Sequence, residues 1–197
     1  MQIPDKNQLI GYAAIIIIIV SLASLGLKLT GHAIVTDTAV VNVTIESSAA
    51  INFTTDFIDF GTGSVNTGEA SATVNTEGVS TFNSGWVGGN NLTLENVGNV
   101  NVSLALNSSV TAATFIGGTS PGFQFRIVNN EAGSCVGGDA SAYTEFGTVN
   151  DVVCTVFPFD DDSDELIIPI QLIIASDSNS DSATAFTATI TATGTYV

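Results

Sequence analysis

Basic side chains are almost absent from this sequence. Lys6, Lys28 and Arg126 are the only lysines and arginines in 197 residues. They face 19 Asp and Glu, for a formal net charge of −16. Beyond residue 33 only Arg126 remains, against 18 acids. Binding nucleic acid requires cations that displace the counterions of the phosphates, so the composition argues against a nucleic-acid partner. A field of one sign keeps copies of a chain apart in dilute salt. It suits a cationic surface, a metal ion or a high-salt milieu.

Histidine is nearly missing too. His32 is the only one, and it precedes the part of the chain that reads as a folded body. A Ser-His-Asp or Cys-His arrangement needs an imidazole base, a Schiff base needs an amine, and a His-ligated zinc needs imidazoles. The body supplies none of these. Carboxylate chemistry of the glycosidase kind remains open, but nothing in the sequence selects a pair. The expectation is a protein that is not an enzyme and has no catalytic residue.

Cysteine occurs twice, at Cys135 and Cys154. In an exported chain an even pair reads as a disulfide. Closing a loop of this length contributes about 3 kcal/mol in the chain-entropy description.

There is one long apolar run. Leu9–Leu27 reads LIGYAAIIIIIVSLASLGL and carries no charge. Nineteen residues at about 1.5 Å each span roughly 28 Å, close to the hydrocarbon thickness of a bilayer. The run is bracketed by Lys6 and Lys28, so the charge asymmetry that orients membrane helices barely decides its direction. Three readings stay open. The first is a retained anchor, with the membrane as partner. The second is a secretory signal cleaved after Ala33, since Gly31-His32-Ala33 has the small-x-small pattern. The third is a prepilin-type leader: Lys6-Asn7-Gln8-Leu9 ahead of the apolar run resembles the leader of archaeal type IV pilins. Asn7 stands where that pattern has Gly or Ala, and no Glu lies early in the helix. All three send the body outward, to a membrane-tethered extracytoplasmic position or to the cell surface or medium.

The domain organisation follows: residues 1–29 form the anchor or signal segment, 30–38 a short tether, and 39–197 one extracytoplasmic domain. That domain reads as strands. Runs of Val, Ile, Thr and Phe are broken by Gly, Asn, Asp and Ser. Ala39–Glu46 (AVVNVTIE) alternates, with Val41, Val43 and Ile45 on one face and Asn42, Thr44 and Glu46 on the other. Strands are expected at Ala50–Thr54, Phe57–Phe60, Ser71–Asn75 (a polar edge), Asn91–Glu95, Asn99–Leu106 and Phe123–Val128. Tyr143–Val149 and Val152–Phe157 read as a hairpin. Leu166–Ala175 reads as a central strand, disturbed by Pro169. Ala183–Val197 closes the fold. The expected class is all-β: an antiparallel two-sheet sandwich, Ig-like or jelly-roll, preceded by one N-terminal hydrophobic helix.

Two acidic clusters have spacings that suit calcium, which takes several carboxylate and carbonyl oxygens on a flexible loop. Asp160, Asp162 and Asp164 alternate within FDDDSDE. Asp177, Asn179 and Asp181 match the first half of an EF-hand-like loop, but Ser182 stands at the glycine position and Ala188 at that of the closing glutamate. Calcium is the one cofactor these residues point to. Five sequons, at Asn42, Asn52, Asn91, Asn101 and Asn107, are N-glycosylation candidates.

The stretch NLTLENVGNVNVSLAL (Asn91–Leu106), taken with the Thr-alternating C-terminal strand, resembles exported archaeal surface β-sandwich proteins and, loosely, TasA/camelysin-type fibre subunits. The resemblance implies a surface structural or interaction protein, such as a subunit of a cell-surface layer or filament. In the fibre-forming relatives an N-terminal strand is donated to the next subunit. Here that implies self-association through Ile34–Glu46. The alternatives are a calcium- or glycan-binding module and a pilin-like filament subunit using the N-terminal helix.

Overall fold

The computed structural model describes residues 5–29, 38–138, 142–178 and 185–197. Residues 30–37 of the 30–38 tether, which include the small-x-small site at Gly31–Ala33 and the stretch from Ile34 to Asp37, and also Asn179 and Asp181, lie outside the described residues. The chain divides into two compact units, Met1–Thr44 and Ile45–Val197.

In the first unit, helix α1 spans Lys6–Leu29. Ser21 returns its hydroxyl to the Ile17 and Ile18 carbonyls, so even this polar group is satisfied within the helix. Residues 5–7, 10–11 and 14–21 are the part of this segment whose side chains are described. Among the described residues, no helix is long and apolar enough to cross a membrane. Residues 38–44 have no regular structure and are exposed throughout.

The second unit is built of strands: β1 (Asn52–Thr55), β2 (Ser64–Val65), β3 (Ser71–Asn75), β4 (Ser80–Thr81), β5 (Asn83–Ser84), β6 (Leu92–Glu95), β7 (Val102–Ser108), β8 (Gly122–Phe125), β9 (Val128–Asn129), β10 (Thr144–Glu145), β11 (Asp151–Phe157), β12 (Glu165–Ile168), β13 (Ile170–Ala175) and β14 (Ile190–Tyr196). A single helical turn, α2 (Ala112–Phe115), precedes β8. Every pairing is antiparallel. The sheets run β1-β6-β12-β9, β10-β8-β13-β3-β4 and β11-β7-β14, with a small β2-β5 ribbon.

Alternation decides which side chains enter the core. On β7, Val102, Leu104, Leu106 and Ser108 are buried, while the residues between them are half-buried. On β6, Leu92 and Leu94 turn inward. The apolar ones among these form one cluster with Val74, Phe123, Phe125, Phe157, Leu166, Ile168, Ile170 and Leu172, so all three larger sheets contribute to it.

The expected central strand Leu166–Ala175 is divided. Pro169 is buried and has no N–H to donate. Before it, β12 pairs with β6 and β9; after it, β13 pairs with β8 and β3. The facing segment changes sheets at the same level, from β8 to β9. The Arg126 N–H donates to the Pro169 carbonyl (3.1 Å) across this double bend. Ile170 donates its N–H to Thr76 Oγ1 (3.0 Å) and accepts from the Thr76 N–H (3.0 Å).

Other expectations are corrected. Ala39–Glu46 forms no strand, and neither does Phe57–Phe60. Alternation equips a segment for pairing but does not supply a neighbour. Ser71–Asn75 is a strand with the expected bounds, yet it is not an edge: β13 pairs on one side and the two-residue β4 on the other. The hairpin around Asn150 does not form; β10 pairs with β8 and β11 with β7. β6 and β7 flank a turn but belong to different sheets.

That turn is fixed by Asn96, which is 1% exposed. Its Nδ2 donates to the carbonyls of Val100 (3.0 Å) and Phe157 (3.1 Å), and its Oδ1 accepts from the Gly98 N–H (3.2 Å). Replacing it leaves buried backbone groups unpaired. Asn96→Ala is expected to lower unfolding stability by about 1–3 kcal/mol, measured by urea unfolding. A loss within error of zero would show that water replaces the side chain.

Candidate functional site

The described residues among those singled out in the sequence do not converge on one centre. Asp160 opens a turn in which its carbonyl accepts from the Ser163 N–H (2.6 Å), and Asp160 and Asp162 are exposed. Asp164 turns toward other acids. Its carboxyl is held above the ordinary range, first by burial and then by the charges of Glu131, Glu95 and Asp161. Glu131 Oε2 accepts the backbone N–H groups of Asp164 (2.9 Å) and Glu165 (3.1 Å). Asp177 is engaged locally: Oδ1 accepts from the Thr119 N–H (2.8 Å) and Oδ2 from the Thr119 hydroxyl (2.6 Å), which lowers its pKa. Among the described residues no three His, Cys, Asp or Glu side chains are grouped as a metal ion requires.

Cys135 and Cys154 are joined as a disulfide that ties the 134–138 loop to β11. Val136 bridges to Val156 beside it. The sequons differ in exposure. Asn42, Asn52 and Asn101 are exposed. Asn91 is half-buried and its Oδ1 accepts from the Thr76 hydroxyl. Asn107 is half-buried on β7, opposite Thr191.

Arg126 is used internally. Its guanidinium donates to Glu77, from Nε to Oε2 at 3.1 Å and from Nη2 to Oε1. It also lies 5.7 Å from the centre of the Tyr143 ring. The Tyr143 hydroxyl donates to Glu77 Oε2 (2.7 Å). Burial, then this bond, pushes the Tyr143 pKa up to about 12, while the guanidinium holds the Glu77 carboxyl below its usual value.

Two features remain that local packing does not account for. The first is the segment ahead of the body. Val40, Val41, Val43 and Ile45 are 79–90% exposed. Exposure is general along 38–49, but at Glu46–Ser48 the backbone is pinned. Asn99 donates Nδ2 to the Glu46 carbonyl (2.9 Å) and its own N–H to the Ser48 carbonyl (2.9 Å), and its Oδ1 accepts from the Ser48 N–H (2.6 Å). Gly98 permits this approach: a Cβ there would lie 2.4 Å from the Ser48 carbonyl oxygen. The glycine is needed for contact rather than for a positive φ.

The second feature is a groove of about 520 Å³. Phe53 of β1 and Ile190 of β14 stand on its walls, together with Phe57, Phe60, Phe115, Phe123 and Phe186. Phe115 and Phe123 stack at 4.9 Å, and Phe123 continues to Phe146 at 4.7 Å, so this wall is continuous with the core. Phe57 and Phe186 are 73% and 53% exposed. β1 and β14 are edge strands of separate sheets. They approach where a Cβ on Gly194 would lie 3.3 Å from Ile51, and farther along they line the groove without pairing. Sequence periodicity singled out the segment but not the groove, which is assembled from five distant stretches of chain.

No protein-family model, no curated protein and no solved structure matches this chain.

The acidic neighbourhood of Asp164 generates a prediction. Its folded pKa lies above the ordinary value of 3.8. The stability it contributes is therefore fully present below that value and is lost as pH rises through the folded pKa. Asp164→Asn should unfold at a higher temperature than the parent protein at neutral pH, with the difference vanishing well below pH 3.8. Thermal unfolding by circular dichroism checks this; an unchanged difference at both pH values would contradict it.

Proposed function

We propose that this chain is an exported surface structural protein, without enzymatic activity, whose copies associate through the apolar segment ahead of its body. The observation that carries this reading is the state of residues 40–45. Val40, Val41, Val43 and Ile45 are exposed in a segment whose alternation suits a sheet, and among the described residues it has no strand partner. An extended apolar segment of this kind adds readily to a sheet edge on another molecule.

Further features support the placement and architecture. In the sequence, though not in the described residues of α1 alone, the uncharged run Leu9–Leu27 has the length of a bilayer span, which favours a retained anchor with the body displayed outside the membrane. The Cys135–Cys154 disulfide suits an oxidising compartment. The three larger sheets share one core, which favours a β-sandwich closed at one side by the double bend at Pro169. The acidic surface keeps copies soluble until salt screens it.

The test is sedimentation of the full chain in detergent over a wide concentration range, at low and high salt. Oligomers that grow with concentration, and more strongly in high salt, are the expected result. A chain that stays monomeric under all these conditions overturns the reading. Intact mass of the native membrane fraction addresses the anchor separately: the full-chain mass is expected, and a mass starting at Ile34 would establish cleavage.

A further inference from the structure

β11 is an outer strand of the β11-β7-β14 sheet, and among the described residues no further strand lies beyond it. An outer strand presents N–H and C=O groups to any extended chain that meets it. β11 is also irregular. From Cys154 to Phe157 it advances three residues while β7 advances two, from Leu104 to Val102. An extra residue of this kind turns backbone groups out of the ladder. Here the N–H groups of Thr155 and Val156 turn to Val136.

Residues 135–138 lie across this place. The Val136 carbonyl accepts the N–H of Thr155 (2.9 Å), the N–H of Val156 (3.2 Å) and the Thr155 hydroxyl (2.8 Å). The Val136 N–H donates back to the Val156 carbonyl (2.9 Å). Backbone meets backbone with no room for a side chain between. A Cβ on Gly138 would stand 2.0 Å from the Val153 carbonyl oxygen, and one on Gly137 would stand 2.2 Å from Thr155 Oγ1. The chain up to Cys135 is fixed without help from β11. Asn129 Oδ1 accepts from the Cys135 N–H (3.0 Å), and the buried Ser134 donates its hydroxyl to the Glu131 carbonyl (3.0 Å). Two links tie the following residues to β11: the bridge of Val136 to this corner and the disulfide from Cys135 to Cys154.

We propose that residues 135–138 are a strap over the free edge of β11 and that the Cys135–Cys154 disulfide is its latch. In the oxidised chain the strap covers Thr155 and Val156. In the reduced chain it lifts and leaves that edge open to another strand. The proposal does not rest on association through residues 40–45. A single bridge does not hold a strap by itself, since even a whole two-stranded hairpin is marginal in water. The disulfide supplies the difference by restricting the freedom that the lifted strap would gain. The first residues of β11 need no such cover. Asp151 and Val152 are exposed there, and a charge on an edge discourages pairing.

The two sulfurs are not equivalent. Cys154 is fully buried, whereas Cys135 is half-buried and is the sulfur that a reductant meets. A thiolate of a dithiol attacks Cys135 Sγ. The S–S bond breaks, and its electron pair leaves on Cys154 Sγ, which takes up a proton. The second thiol of the reductant then attacks the mixed disulfide. Cys135 leaves as its thiol, and the reductant ends as a cyclic disulfide. Closing the latch runs these steps backwards with a disulfide oxidant.

Amide hydrogen exchange read by mass spectrometry tests this on the full chain in detergent, oxidised and after reduction with dithiothreitol. Exchange in residues 152–157 should quicken at least about tenfold on reduction, while exchange in β7 and β14, which pair with each other from Ile190 to Tyr196, should change little. Cys135→Ser should exchange like the reduced chain, and dithiothreitol should change it no further. Gly138→Ala should quicken exchange in the same residues with the disulfide intact, because its Cβ cannot lie against the Val153 carbonyl. Equal exchange in 152–157 before and after reduction would show that the disulfide holds no strap, and the proposal fails. A rise of equal size in β7 and β14 would make the disulfide a staple of the whole body and overturn the latch. An unchanged Gly138→Ala would overturn the seating of the strap on β11.

Discussion

The body depends on one backbone hydrogen bond and the bend around it. The Arg126 N–H donates to the Pro169 carbonyl where two facing segments leave one sheet and join another. Pro169 has no donor to leave stranded at the corner, and Thr76 satisfies Ile170 on the far side with both its hydroxyl and its backbone. Burying a corner in this way is tolerable only because these neighbouring groups are paired. The bend lets Ile168 and Ile170, on either side of the proline, enter the same core. Among the described residues β1 is the edge of the β6 sheet, and β13 belongs to the other one. The groove follows from that geometry.

Much of this was legible in the sequence where a segment's own pattern decides its fate. Ser71–Asn75 and the inward residues of β7 follow from alternation and from what water does to Val and Leu. The disulfide follows from having two cysteines in a chain read as exported. What alternation does not encode is a partner. It made Val152–Phe157 a strand but could not say that β7 rather than β10 would pair with it. Pro169 signalled a disturbance, yet only the facing bend at Arg126 turns a bulge into a change of sheet. The acids were read as a spacing, whereas the surroundings of Asp164 come from Glu131 and Glu95, which are distant in sequence.

The reading of Ala39–Glu46 is the most instructive difference. The residues have every property of a strand, and no described residue pairs with them. A sequence rule that scores each segment alone returns the same answer for a strand that pairs within its chain and for one that pairs outside it. Asn99 marks where the body takes hold of this stretch of chain. Its three hydrogen bonds hold Glu46–Ser48 to the body, and Gly98 clears the space for them. Residue 45 and those before it lie beyond that clamp.

Charge then restricts what can hold two copies together. Attraction between surfaces of opposite sign is unavailable when 18 of the 19 ionisable acids and bases beyond residue 33 are acids and the single base is spent on Glu77. At about 10 Å of screening in 0.1 M salt these acids repel; at about 3 Å in 1 M salt they scarcely sense one another. The remaining sources of attraction are burial of apolar area and completion of backbone hydrogen bonds at a sheet edge. Three Val and Ile side chains, at about 1.5–3 kcal/mol each when fully buried, outweigh the ordering of a short segment only if the backbone also gains partners.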